Sequence, residues 1–200
     1  MTRWYCEKKK EFYYNEAKRV GYRARSAFKL QQINNRFHII SPGDLVVDLG
    51  AAPGGWSQVA SELVGSSGKV ISVDISMMKS LEHVTFIQGD ITDPVTVQAI
   101  LDEMRGSRAH VVISDMAPDI SGNYSVDQAR SVWLCEHAFQ VAEKILKAKG
   151  HFVCKIFEGA DTPAFFETVK HRFQLVKKFS PDASRKSSSE VYIIARSYKG

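Results

Sequence analysis

Four aspartates and one lysine occupy places in this sequence that packing alone does not explain. Each aspartate closes an apolar run of strand type: Asp48 after Val46-Val47, Asp74 after Val70-Ile71-Ser72-Val73, Asp90 after Val84-Thr85-Phe86-Ile87-Gln88-Gly89, and Asp115 after Val111-Val112-Ile113-Ser114. Acids that end successive strands point to the carboxyl edge of a parallel sheet, where such sheets bind nucleotides. Asp48 is followed by a small-residue loop, Gly50-Ala51-Ala52-Pro53-Gly54-Gly55-Trp56-Ser57, that leads into a helical pattern. Glycines and alanines let a ligand approach the backbone, and a helix start offers unpaired N–H groups. Asp74 lies 24 residues beyond Gly50, near the ~20-residue offset of a carboxylate that takes ribose hydroxyls. Lys155 interrupts another apolar run, His151-Phe152-Val153-Cys154-Lys155-Ile156-Phe157. An ammonium buried in a strand is costly unless it is paired, neutralised or at a solvent-reaching tip. The chemistry implied is an adenosine-type cofactor beside a charged pocket.

These residues need a scaffold, and the patterning supplies one. Runs at 46–49, 69–74, 84–90, 110–118 (with Asp115 at its tip) and 151–157 read as strands alternating with helical patterns at 58–63, 94–104 and 126–147, the signature of an open α/β sheet. Pro94 sits at a helix start. The stripe Val132, Cys135, Ala138, Phe139, Ala142, Ile145 and Leu146 is core, and Gly150 is read as the cap that turns this helix into the next strand. A short helix at 162–171 follows. Strands at 174–179 and 190–195, joined by the polar basic loop 180–189 rather than by a helix, form an antiparallel pair. Upstream, residues 23–37 are helical, with Ala24, Ala27, Phe28 and Gln31 on one face and Lys29 among the charged positions.

With 200 residues, 44% hydrophobic and 24% charged, the chain suits one globular domain with a sizeable core. No apolar run is long enough to span a bilayer and no signal-peptide pattern opens it, so no membrane association is expected. The three cysteines, Cys6, Cys135 and Cys154, are widely spaced and form no C-x-x-C. Neither a disulfide framework nor a metal site is suggested, and a reducing cytoplasm is the expected compartment. The net charge of +5 conceals an asymmetry. Residues 1–38 hold ten Lys/Arg against three Asp/Glu, residues 170–200 hold eight against two, and the middle of the chain is acidic. Basic ends that meet in the fold would make a polyanion-binding face. The first twenty residues interleave Trp4, Tyr5, Phe12, Tyr13 and Tyr14 with Lys8-Lys9-Lys10, which suits base stacking and phosphate contacts, or the pinning of an N-terminal arm to the domain.

On this topology Asp115 ends the strand beside the one carrying Lys155, Glu190 opens a strand that can lie next to it, and Lys29 comes from a helix near the same edge. Together with the loop, these residues resemble the FtsJ-like family of RNA 2′-O-ribose methyltransferases, in particular the ribosomal RNA ones. The matching segments are residues 22–30, the loop from Val47 to Gln58, Ser114-Asp115-Met116-Ala117-Pro118, residues 152–157, and 185–192 with Ser189-Glu190-Val191-Tyr192. The resemblance runs in order from about residue 20 to 195 and leaves the N-terminal extension 1–20 unmatched. It implies a Rossmann-like, S-adenosylmethionine-dependent α/β fold: a mostly parallel seven-stranded sheet, helices on both faces and an antiparallel C-terminal strand. It also implies a single methyltransferase domain over residues 1–200. The family's catalytic tetrad falls on Lys29, Asp115, Lys155 and Glu190. Cofactor contacts fall on Gly50, Gly54, Gly55, Trp56, Asp74, Asp90 and Asp115, with no metal. The implied substrate is a ribose 2′-hydroxyl, of a uridine in large-subunit 23S-type ribosomal RNA within a ribosomal subunit, contacted by the basic segments 1–38 and 170–200 of a monomer. Lys155 would serve either as the neutral base or as a cationic orienting group.

Other readings carry different signatures. A nicotinamide-dependent reductase would share the loop and acids, but Ala52-Pro53 departs from G-x-G-x-x-G and no Tyr-x-x-x-Lys constellation follows. Asp115-Met116-Ala117-Pro118 is not the Asp/Asn-Pro-Pro-Tyr loop of base amino-group methylation, and no Pro-Cys nucleophile is present. Transfer-RNA and messenger-RNA cap 2′-O-methyltransferases remain as enzymatic alternatives. A non-catalytic RNA-binding assembly factor is an alternative of another class.

Overall fold

The computed structural model describes residues 3–184 and 189–200, with side chains from residue 12 onward. Its helices are α1 (Arg3–Val20), α2 (Ala27–Phe37), α3 (Gly55–Val64), α4 (Pro94–Met104), α5 (Tyr124–Ile145) and α6 (Thr162–Arg172). The strands are β1 (Leu45–Leu49), β2 (Lys69–Asp74), β3 (Val84–Gln88), β4 (Ala109–Ser114), β5 (Leu146–Phe157), β6 (Phe173–Phe179) and β7 (Glu190–Tyr198). They form one sheet in the order β3-β2-β1-β4-β5-β7-β6. The pairings are parallel except those of β7, which runs antiparallel to both β5 and β6. Strand order reverses between β1 and β4, and that reversal opens a crevice at the carboxyl edge of the sheet.

Period-two alternation sorts the strand residues between two apolar layers. Val47, Leu49, Val112, Phe152, Cys154, Ile156, Val191 and Ile193 pack with the layer of α4, α5 and α6. Val46, Ile113, Val153, Tyr192 and Ile194 pack with Leu30, Ile33, Trp56 and Ala60 of α2 and α3. Asp48, Asp115, Lys155 and Glu190 share the parity of this second set. The functional candidates on four different strands therefore face the α2–α3 side.

Three local features depart from the sequence expectation. Residues 23–26 form turns, so α2 starts at Ala27 with Ser26 as its N-cap, whereas α3 starts three residues early at Gly55. Strand pairing in β5 begins at Leu146 opposite Ala109 and slips in register before Val111 pairs with His151. The left-handed residue there is Lys149 (φ 65°) rather than Gly150. Gly150 is needed for clearance instead, because a Cβ would lie 2.9 Å from the Lys147 carbonyl oxygen and 3.0 Å from that of His110. Finally, the aromatic N-terminal stretch is helical: α1 docks on α2 through the buried Ala17 and through Tyr13, whose ring lies 5.3 Å from that of Phe28. Phe12 and Tyr14 remain exposed; the side chains of Trp4, Tyr5 and Lys8-Lys9-Lys10 lie outside the described residues. No described helix is long and apolar enough to cross a membrane.

Candidate active site

The register of β5 and β7 assembles the charged pocket. Lys155 lies directly opposite Tyr192, and Phe157 opposite Glu190, so Lys155, Tyr192 and Glu190 emerge on one face. Asp115 follows the last residue of β4, which pairs with Cys154, and so reaches the same place. Lys155 is 7% exposed. Its Nζ donates to the Asp115 carbonyl at 2.5 Å and lies 3.1 Å from Asp115 Oδ1. Lys29, 6% exposed on α2, donates to Glu190 Oε2 at 3.0 Å. Burial is the largest influence on Glu190 and pushes its carboxyl upward, but Lys29, Lys155 and Arg25 together hold it below the usual range. The structure thus brings all four tetrad candidates together as two ion pairs.

Tyr192 ties the pairs to each other. Its hydroxyl donates to Asp115 Oδ1 at 2.6 Å, and Lys29 Nζ sits 5.6 Å from its ring centroid. Burial, then the neighbouring Asp115 and Glu190 carboxylates, raise the phenol well above its ordinary value, so it remains a donor. Sequence reasoning did not single out Tyr192. The signal was present, since in a period-two strand residue 192 faces the same side as residue 190.

Beside the pocket, at the β1–β4 crevice, is a cleft of about 450 Å³ lined by Gly50, Ala52, Asp74, Asp90, Asp115 and Trp133 among others. That volume is in the range of small-molecule sites. Asp74 is oriented by two backbone donors, Ala52 N to Oδ2 and Ser76 N to Oδ1, each at 2.8 Å. Asp90 Oδ1 accepts from the Thr92 N–H and hydroxyl, both at 2.8 Å, and those bonds lower its pKa. Gly50 (φ 74°) sits so close to Met116 that a Cβ would meet its Cγ. Trp133, half exposed at the rim and tilted against His137 with ring centroids 4.1 Å apart, was not anticipated, because it stands on a helix whose apolar stripe reads as core.

Gly54, Gly55 and Trp56, expected to touch the cofactor, do not line the cleft. Gly54 (φ 108°) is hemmed in by Met78, Leu81 and Arg23, and Gly55 by Ala24. Trp56 is 2% exposed, donates from Nε1 to the Ser26 carbonyl at 2.9 Å and stacks on Tyr192. The lack of a side chain at the two glycines and the buried ring of Trp56 let the start of α3 pack closely against residues 23–26.

Asp48 lies under the cleft. It is fully buried, accepts from Ser57 Oγ at 2.7 Å through Oδ2, and its Oδ1 has no hydrogen-bond partner among the described residues. Burial pushes its carboxyl up to about 7, with Ser57 opposing and with Asp115 and Asp74 adding to the rise.

The two basic ends meet. Gln32 accepts from Ala183 N at 3.1 Å, Phe37 and Phe179 rings are 5.2 Å apart, and the Arg36 guanidinium lies 5.3 Å from the Phe179 centroid. Arg185 and Lys186 lie outside the described residues.

Comparison with known proteins agrees with this geometry. The family model of FtsJ-like methyltransferases matches residues 22–198. The ribosomal RNA large subunit methyltransferase E of Haloquadratum walsbyi is 52% identical over 92% of this chain and 73% of its own length. Its namesake from Methanosarcina barkeri is 47% identical over 95% and 72%. A crystal structure from Plasmodium falciparum, assigned as a ribosomal RNA methyltransferase, superposes with a TM-score of 0.81 at 28% identity, covering 90% of this chain and all of that one.

Proposed function

The chain belongs to the FtsJ-like methyltransferase family, and on that premise we propose that it methylates the 2′-oxygen of a ribose, of a uridine in large-subunit ribosomal RNA. The observation that carries this is the pair of interlocked ion pairs, Lys155–Asp115 and Lys29–Glu190, set at the edge of the cleft. Gly50, Asp74, Asp90 and Asp115 would hold S-adenosylmethionine: Asp74 suits the ribose hydroxyls and Asp90 the adenine amino group, since each is pre-oriented and retains free lone pairs. When bound, the cofactor supplies a methyl group on a sulfonium. Lys155 Nζ donates to the Asp115 carbonyl and is ion-paired with its carboxylate, and as an ammonium it would have a further hydrogen for the acceptor oxygen. In this arrangement it is an orienting donor that stabilises charge as it develops on that oxygen. Lys155 would hold the acceptor hydroxyl in line with that methyl group, and the hydroxyl proton would leave to solvent as the methyl group is taken up. Lys29 and Glu190 hold the ribose from the α2 side.

The acceptor RNA lies against the basic segments 1–38 and 170–200, with α1 as the extension of a single domain. Binding should then weaken steeply with salt. The deciding experiment is labelled-methyl transfer from S-adenosylmethionine to fractionated RNA, followed by mapping of alkali-resistant linkages. Ribose methylation confined to large-subunit RNA is the expected result, and methylation of bases alone would overturn the assignment.

A further inference from the structure

The connection from β4 into α5 leaves three apolar side chains in solvent within seven residues: Ile120, Tyr124 and Val126 are 67%, 61% and 38% exposed. Neither the cofactor cleft nor the ion pairs use them. An exposed tyrosine ordinarily lays its ring on apolar surface and gives its hydroxyl to water. Tyr124 is the reverse. Its hydroxyl is satisfied, donating to the Glu158 carbonyl at 2.9 Å, and its ring is the part left bare.

That ring is held rigidly. Asn123 caps α5, its side chain accepting from Ser125 N and Val126 N at 3.1 and 3.4 Å. The buried Asp127 fixes the incoming loop by accepting from the Ser121 N–H at 2.8 Å and its hydroxyl at 2.7 Å. The position relative to the ion pairs follows from Glu158. Its N–H donates to the Ser189 carbonyl at 2.9 Å, next to Glu190, while its carbonyl holds Tyr124. Tyr124, at the start of α5, is thus tied through Glu158 to the end of β5, where Phe157 pairs with Glu190, while Lys155 and Glu190 face the α2 side.

We propose that the Tyr124 ring is a stacking platform for a base of the acceptor strand, at or beside the methylated nucleotide. This rests on the RNA-ribose reading above and deepens it. A base fits because it offers a flat π-face and asks nothing of the hydroxyl, and a ring already immobilised loses little entropy when a base covers it. Tyr124 is a positioning residue and does not touch the reacting atoms.

The test compares the unaltered chain with Y124A, Y124L and Y124W on unmethylated large-subunit RNA, naked and assembled into subunits. Y124A and Y124L are expected to raise KM for both substrates about 10- to 100-fold, the size of one lost base–aromatic stack, with S-adenosylmethionine Kd unchanged and Tm lowered only by the small amount that one exposed hydrogen bond accounts for. Y124W should retain most of the affinity. A wild-type KM in Y124A, or rescue by leucine equal to that by tryptophan, would overturn the platform. A defect confined to assembled subunits would assign the ring to a ribosomal protein and equally overturn it. Were the unaltered chain to methylate no ribose, the functional reading would fall and the platform with it; ribose methylation undiminished in Y124A would remove the platform alone.

Discussion

The cofactor and acceptor halves of the proposed site differ in the range of the contacts that build them. In the cofactor half, carboxylates are oriented from shorter range: Asp90 by Thr92 and Asp74 by Ser76, each two residues on, with Ala52 adding a second donor to Asp74 from 22 residues away. In the acceptor half, every pairing joins distant positions: Lys29 to Glu190 across 161 residues, Tyr192 to Asp115 across 77, and Lys155 to Asp115 across 40. A local carboxylate is aimed as soon as its strand and turn form, whereas long-range charges meet only when the whole sheet has closed. Substitutions in the acceptor half should therefore cost turnover or global stability, and those in the cofactor half should cost affinity for one small molecule.

The largest effect tests the acceptor half. Lys155→Met should lower kcat about 10²- to 10³-fold, the typical cost of removing one preorganised donor, while S-adenosylmethionine Kd by calorimetry stays near wild type. Near-normal turnover would remove Lys155 from the chemistry. Next, Glu190→Gln leaves the buried Lys29 without its counter-charge. Glutamine keeps an acceptor oxygen and Glu190 is part exposed, so the expected loss is about 1–3 kcal/mol, below the ~3–5 kcal/mol of a broken fully buried pair. The Glu190 carboxyl is held below its unfolded value of ~4.3, so its contribution is complete above that pH and is lost as pH falls through the depressed folded value. Thermal unfolding from neutral to acid pH should show a constant gap between wild type and variant that closes only on the acid side.

The cofactor half is tested by Asp74→Ala. Losing a charged acceptor should weaken S-adenosylmethionine binding about 10- to 100-fold, with kcat recovered at saturating cofactor and RNA affinity unchanged. The loss of the bond from Ala52 N should loosen only the loop. If Asp74→Ala lowered Tm as much as Glu190→Gln does, the contrast between local and long-range construction would fail.

The same contrast explains what was legible in the sequence. Asp74, Asp90 and Asp115 could be read because a strand-terminal acid is visible in a window of a few residues, and Lys155 because its charge contradicts its own run. The parallel order of the strands and the antiparallel final pair followed from which connections contain helices. Lys29 has no local peculiarity and was reached only through resemblance to a family. Tyr192 and Tyr124 were missed because their roles depend on a β5–β7 register and a contact to Glu158 that no short window contains. Gly54, Gly55 and Trp56 show why a glycine loop is hard to read locally, since small residues look the same whether they admit a ligand or a neighbouring turn. Residues 23–26, which crowd Gly55 and Trp56, lie about thirty positions upstream, and Gly54 is crowded by Met78 and Leu81 as well as by Arg23.

Asp48 belongs to neither half, and its titration reports on both. Its buried carboxyl is held up to about 7 by burial first, then by Asp115 of the acceptor half and Asp74 of the cofactor half, against the Ser57 hydrogen bond. A raised carboxyl keeps its proton in the folded chain after the unfolded chain has released it near pH 4, so stability erodes as pH rises from there and levels once the folded group ionises near 7. Asp48→Asn keeps the shape without the charge. Its amide brings N–H donors that need partners, so the net gain should be modest, about 1 kcal/mol at pH 8, and should vanish by pH 5. An equal gain at both pH values would mean that Asp48 does not ionise in this range. Placed in an Asp74→Asn or an Asp115→Asn background, the same substitution should gain less at pH 8, since part of the repulsion is already gone. A double-mutant cycle measures that coupling. Coupling to one background but not the other would assign Asp48 to a single half, and coupling to both would make it, beside Asp115, a second carboxylate through which the halves interact.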